Sequence, residues 1–234
     1  MKIIRTILWW FFIITIPILL VTTVVRLEVQ FLPFYEYEYE KNSISQITGF
    51  DDHQLGIITR HLIQYFNDKI KNPQLIVEKN NKAIQLFNAH EIIHLKDVKE
   101  IFQIVFRVQY IALGYFILYM LVNILFKKKE KMFYFWKGLK NGSILTVILL
   151  SILGIGLFTG FYQLFIQFHY LVFGDPQSSP WILDPRTDHL VMMYPLNFWQ
   201  DAALLGVFVI LSTSIILIML SCLVLLSYRS KRKE

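Results

Sequence analysis

The sequence predicts an α-helical membrane protein: four transmembrane helices with a small extracytoplasmic α+β cap. Two observations carry that expectation. Of the 234 residues, 55% are hydrophobic and only 17% charged, against roughly 25% charged in an average soluble domain. The apolar excess is gathered into four long runs flanked by short basic clusters, and each run reaches the ~20 residues a helix needs to cross the hydrocarbon core. The net charge of +6 therefore reads as topology determinants and not as a nucleic-acid surface. The only cysteine, Cys222, lies inside an apolar run, which leaves no intrachain disulfide and no cysteine-based metal site.

Residues 1–26 form the first expected span. The run is too long for a signal-peptide core and no small-residue cleavage site follows, so it reads as a retained signal anchor. Pro17 marks a kink within it. The remaining spans are expected at 104–126, 144–166 and 202–227. Orientation follows from the basic residues. Lys2 and Arg5, then Lys127, Lys128, Lys129, Lys131, Lys137 and Lys140 in the loop 127–143, then Arg229, Lys231, Arg232 and Lys233 in the tail 228–234, place the loop and both termini in the cytoplasm. Segments 27–103 and 167–201 are then extracytoplasmic, and Arg186 is the only basic residue of the second.

The first outer segment is long enough to fold as the cap. Phe34-Tyr35-Glu36-Tyr37-Glu38-Tyr39-Glu40 alternates aromatic and acidic residues with period two, a half-buried strand signal. Asp51 or Asp52 caps a helix whose apolar face holds Leu55, Ile58, Leu62 and Phe66. Leu75-Ile76-Val77 and Ala83-Ile84-Gln85-Leu86-Phe87, joined through Asn80-Asn81, read as a β-hairpin. A helix through His90-Glu91-Ile92-Ile93-His94-Leu95-Lys96-Asp97-Val98-Lys99 then leads towards the second span.

That last stretch concentrates chemistry. His90 and His94 share a helical face at i, i+4, Glu91 is three residues before His94, and Asp97 follows one turn later. It also contains H-E-x-x-H, in which a zinc hydrolase would use both histidines as ligands and the glutamate as base. His169, Asp184 or Asp188 could supply the third ligand. His169 stands at the outer end of the third span, at about the depth expected for His94, so two imidazoles at one membrane face form an alternative acid–base pair. His53, His61 and His189 read as solvated or structural. The aromatic residues of 167–201 read mostly as a headgroup-level belt.

Taken in order, Thr48-Gly49-Phe50…Leu55, Glu91-x-x-His94-x-x-Asp97-Val98-Lys99, Phe168-His169 and Trp181-x-x-Asp184-Pro185-x-x-Asp188…Tyr194-Pro195…Phe198 resemble the bacterial lipoprotein intramolecular transacylase (Lit) family. The resemblance covers nearly the whole chain. It implies that His94 and His169 match the family's paired catalytic histidines, and that His90 lies outside the motif. It further implies that the sn-2 acyl chain of a diacylglyceryl-cysteine lipoprotein moves within that molecule onto the N-terminal cysteine amine, giving a lyso-form lipoprotein. Expected partners are the diacylated lipoprotein and membrane lipid, with no nucleic acid, no cofactor and no metal.

The residues suit that chemistry. The attacking amine, with a reference pKa of about 7.7–8.0, must lose a proton, and an imidazole near 6.5 suits the task. Direct attack closes a ring of about eight atoms, so confinement of the two ends is where a protein helps most. Phe168, Tyr170, Trp181, Asp184, Tyr194, Phe198 and Trp199 are the expected substrate pocket, and its aromatics would exclude the water that would otherwise hydrolyse the ester. Glu91, Asp97 and Lys99 are the expected support for His94. Two other readings stay open at this point: a membrane zinc metalloprotease built on His90-Glu91-x-x-His94, and a non-enzymatic surface-sensing membrane protein.

Overall fold

The computed structural model describes residues 2–125, 129–175 and 181–230. In chain order the elements are α1 (Lys2–Gln30), α2 (Leu32–Lys41), α3 (Ile44–Thr48), α4 (Asp52–Phe66), β1 (Ile76–Lys79), β2 (Lys82–Gln85), α5 (Ala89–Leu125), α6 (Lys129–Phe173), α7 (His189–Met193) and α8 (Leu196–Ser230). Four of them, α1, α5, α6 and α8, are long and apolar enough to cross a membrane. Among the described residues the rest of the secondary structure is four shorter helices and one two-stranded antiparallel sheet, which is the expected helical class with a small α+β part.

The described residues of 1–25, 105–155 and 204–234 make one compact unit. Its core is α1 against α6: Phe12 and Ile16 pack on Phe135 and Leu139, with Tyr115, Phe116 and Tyr119 of α5 around them. Phe12 stacks on Tyr119 at 4.2 Å between ring centroids. A second cluster joins Val24, Leu150 and Ile210. Small residues let apolar helices approach closely, and Gly142 shows why it is small. A methyl there would lie 2.6 Å from the Ile16 side chain and 2.8 Å from the Ile13 carbonyl oxygen. That carbonyl belongs to the residue four before Pro17, whose ring nitrogen has no N–H to offer it. α1 nevertheless runs as one helix through Pro17.

The basic segment expected as a loop over 127–143 is helical from Lys129 onwards, so the helix begins well before the apolar run does. Lys and Glu are good helix formers, and the helix satisfies its backbone groups internally. Of the residues expected to set orientation, Lys127, Lys128, Lys231, Arg232 and Lys233 lie outside the described residues. α6 is interrupted once, at Gly160, whose backbone leaves helical geometry.

The described residues of 26–104 and 156–203 make the second unit. The segment 34–40, expected as a strand, is the helix α2. Pro33 falls in its first turn, where a missing N–H costs nothing. Phe34, Glu38 and Tyr39 are buried, while Glu36 and Tyr37 are exposed. The burial therefore follows the helical spacing i, i+4, i+5, and the period-two alternation of residue types does not report it. Lys41 ion-pairs with Asp201, and burial pushes the Glu38 carboxyl above its usual range.

α3 ends on Gly49, which takes φ +72, a left-handed conformation that glycine adopts at no steric cost. The turn delivers Phe50 into the core, where it is 1% exposed. α4 starts at the expected cap: Asp51 accepts from Gln54 N–H at 2.7 Å, and the Gln54 side chain returns a bond to Asp51 N–H. Leu55, Ile58, Leu62 and Tyr65 form its buried face, with Phe66 half-buried beside Phe102. The hairpin pairs Lys79 with Lys82 around Asn80-Asn81, both at positive φ, the arrangement that two-residue hairpins favour.

Candidate active site

Asn88 and Glu91 decide where α5 begins. The Asn88 side-chain oxygen accepts from Glu91 N–H at 3.0 Å, and Glu91 Oε2 accepts from Asn88 N–H at 2.8 Å. This reciprocal pair is a capping box. It places His94 three residues after Glu91, on the face that turns inward; His94 is 8% exposed while His90 is exposed. His169 lies four residues before the end of α6 and is also 8% exposed.

The two imidazoles face each other with centroids 6.1 Å apart and planes inclined by 28°. At that separation the two side chains border the same small space. His169 Nδ1 is 2.7 Å from the Phe165 carbonyl oxygen. A carbonyl only accepts, so Nδ1 carries the proton and Nε2 of the neutral ring carries the lone pair. Among the described residues His94 Nδ1 is buried with no hydrogen-bond partner, and burying a polar group unpaired is costly.

Aromatic rings enclose the pair. Phe165 is 4.2 Å and Trp181 5.2 Å from the His169 ring. Phe173 touches both histidines, at 5.3 and 5.4 Å. Phe168 packs edge-on to His169 and Tyr170 edge-on to Trp181. Trp181 is held by its indole N–H, which donates to the Gly174 carbonyl at 3.1 Å. Such a shell penalises the charged imidazolium and keeps the rings neutral between proton transfers.

The other expected residues divide. Phe168, Tyr170 and Trp181 sit with the histidines. Tyr194, Phe198 and Trp199 instead build a cluster with Phe34 and Tyr35, where the Tyr39 hydroxyl bridges Thr59 at 2.6 Å and Tyr194 at 2.9 Å. Asp184 is half-exposed and paired through both oxygens with Arg186, which holds its carboxyl below the usual carboxylate range. It is a turn residue. Lys99 faces away from the expected role: it meets Asp68 at 2.9 Å, donates to Ile70 O and lies over the Tyr65 ring, tying α5 to the end of α4. Asp97 is half-buried one turn beyond His94. Glu91 uses one oxygen on Asn88 N–H and the other on Leu190 N–H at 2.6 Å, so both are committed to backbone.

His189 is structural, its Nδ1 bonded to Leu86 O and its ring against Phe50. Burial and then Lys79 hold it below the usual imidazole range. His61, expected at the solvent, is half-buried, with Nε2 enclosed and without a hydrogen-bond partner among the described residues. Among the described residues no group of three His, Cys, Asp or Glu is placed to hold a metal ion, and the glutamate of H-E-x-x-H already serves as a helix cap. Sequence reasoning missed Phe165 and Phe173. Their spacing of four residues on either side of His169 was the available signal.

The family described as "Lipoprotein intramolecular transacylase Lit" matches residues 10–199. The chain belongs to this family. It is accordingly a transferase, a lipoprotein intramolecular transacylase, and an integral membrane protein. A similar protein from Aquifex aeolicus (strain VF5), described as uncharacterized, is 29% identical over 177 residues, which is 73% of each chain. Among solved structures, the membrane-integral lipoprotein intramolecular transacylase Lit from Bacillus cereus superposes with a TM-score of 0.81 at 21% identity over 100% of both chains. A histidine-to-alanine variant of that enzyme gives a TM-score of 0.74 at 20% identity, covering 100% of this chain and 97% of the other. These likenesses establish the shared fold.

Proposed function

We propose that this chain transfers the sn-2 acyl group of a diacylglyceryl-cysteine lipoprotein onto the α-amine of the same cysteine, using His169 as general base and His94 as general acid. The single observation that carries the reading is the facing pair at 6.1 Å, enclosed by Phe165, Phe173 and Trp181 in a member of the transacylase family.

The amine nitrogen attacks the ester carbonyl as His169 Nε2 takes its proton. The Phe165 carbonyl, hydrogen-bonded to Nδ1, stabilises the imidazolium so formed. The C–N bond is made, the bond from the carbonyl carbon to the sn-2 oxygen breaks, and His94 gives its proton to the departing alkoxide as it receives the one that His169 has taken from the amine, so neither ring is left as an imidazolate. This handover returns the pair to its starting state. Products are an N-acyl cysteine and a glyceryl hydroxyl, with one ester left on the lipid. Closing a ring of about eight atoms is entropically poor in solution, and the aromatic walls supply the confinement that offsets it. The same walls keep water from the ester.

The basic residues flanking the apolar runs support cytoplasmic termini and an active site at the extracytoplasmic membrane face, where a diacylated substrate presents its glyceryl ester. Mass spectrometry of N-terminal lipopeptides from cells with and without this chain tests the reading. A lyso-form, N-acylated product that appears only with the chain supports it, and identical modification in both cultures refutes it.

A further inference from the structure

We infer that Asn88, Glu91 and Asp188 form a clasp of positioning residues that sets the spacing of His94 and His169, and with it the division of the acyl group between amine and water. The inference rests on the transacylase reading and adds residues that never touch the substrate.

The clasp joins the start of α5 to the segment that begins at Trp181. The Asn88 side-chain N–H donates to Asp188 Oδ1 at 2.8 Å. Asp188 Oδ2 accepts from Asp184 N–H at 2.7 Å, and Thr187 Oγ1 donates to Oδ1 at 3.1 Å. Glu91 Oε1 takes Leu190 N–H at 2.6 Å while Oε2 takes Asn88 N–H. Glu91 is 1% and Asp188 8% exposed. All four carboxylate oxygens of this pair are therefore used, by N–H and O–H donors from two stretches about a hundred residues apart in sequence. Buried carboxylates satisfied this way fix geometry, because each bond has a defined direction and none can be exchanged for water.

The two ends of the clasp lead to the two histidines. On one side His94 follows Glu91 by three residues in the same helix. On the other, Asp184 precedes Asp188 by four residues, and three residues earlier Trp181 lies on the His169 ring at 5.2 Å. Loosening the clasp lets the start of α5, which carries His94, move away from the segment that begins at Trp181, and lifts Trp181 from His169. A poorly placed amine then competes with water: hydroxide equivalents from water add to the ester carbonyl, the bond to the sn-2 oxygen breaks, and a free fatty acid and a glyceryl hydroxyl result. Misplacement of about 1 Å in a reacting geometry costs as much as a hundredfold in rate.

The test uses the purified full-length chain and a synthetic peptide whose cysteine carries the diacylglyceryl thioether. N-acyl product and free fatty acid are both measured by mass spectrometry, alongside a thermal midpoint. Asn88→Asp sets two carboxylates face to face, and Asp188→Asn sets two amides face to face. Each is expected to lower transfer kcat about tenfold or more and to raise the fatty-acid share. The exchange Asn88→Asp/Asp188→Asn restores one carboxylate and one amide in reversed order, and is expected to recover both the rate and the division of products. Single variants that keep the parental kcat and product ratio overturn the clasp. So does a folded exchange variant that stays slow or hydrolytic, or an exchange variant that fails to fold. A parental chain that yields no N-acyl product overturns the transacylase reading itself, whatever the clasp variants do.

Discussion

Replacing each of the two facing histidines by glutamine separates their chemistry from their packing. Glutamine keeps roughly the volume and the polarity of imidazole, so His94→Gln and His169→Gln are expected to fold, and a side-chain amide at position 169 can still donate to the Phe165 carbonyl that now takes Nδ1–H at 2.7 Å. What each variant loses is a proton carrier. A positioned general acid or base contributes about 10²–10⁴ in rate, which is about 2.7–5.4 kcal/mol at 1.36 kcal/mol for each tenfold step. The rings stand 6.1 Å apart, close enough to serve one proton transfer in sequence. Their effects are therefore expected not to multiply: the double variant should be slowed about as much as the slower single one, as happens for residues that act as a unit. The assay is single-turnover conversion of the diacylated cysteine peptide to its N-acyl form, with His90→Ala as the control expected to keep parental activity. A double variant slowed by the product of the two single effects would refute a shared proton path. A loss in His90→Ala equal to that in His94→Ala would refute the pairing of His94 with His169 and restore H-E-x-x-H as the working motif.

Two further outcomes follow from the packing. Gly142→Ala places a methyl 2.8 Å from the Ile13 carbonyl oxygen, a backbone atom that cannot rotate away, so a stability loss of about 1–3 kcal/mol is expected, as for overpacked cores. A thermal midpoint in detergent equal to the parent's would show that the helices part without cost. His189 is held below the usual imidazole range by burial, so as pH falls below about 6.5 the unfolded chain binds a proton that the folded chain resists, and stability drops. His189→Gln should flatten that acid limb in urea titrations at several pH values; an unchanged limb would assign it to other groups.

The legibility of this chain follows the range of the interactions involved. Asp51 with Gln54, and Asn80-Asn81 between two apolar runs, are local devices: the cap and the turn are made by residues within a few positions of one another, so their sequence spacing already contains their geometry. The Tyr–Glu alternation of 34–40 misled because residue type alternated while burial did not. Only the partners of Phe34 and Tyr39, namely Phe198, Thr59 and Tyr194, reveal which face of α2 is inside. Glu91 and Lys99 are expected to support His94, yet a helix of known register leaves open what lies across from it: Glu91 gives both oxygens to backbone N–H groups and Lys99 turns to Asp68.

The sequence by itself determined the membrane class, the four long apolar helices, the hairpin, the cap of α4 and the presence of a histidine on each of α5 and α6, since all of these rest on composition and on spacing along one chain. Only the tertiary structure decided that His94 meets His169 and not His90, that Phe165 fixes the tautomer of His169, and that Glu91 spends both oxygens on backbone. The physical reason is that these facts are distances between elements far apart in sequence, and a distance of that kind is set by how buried surfaces and polar groups are satisfied together, not by any local pattern.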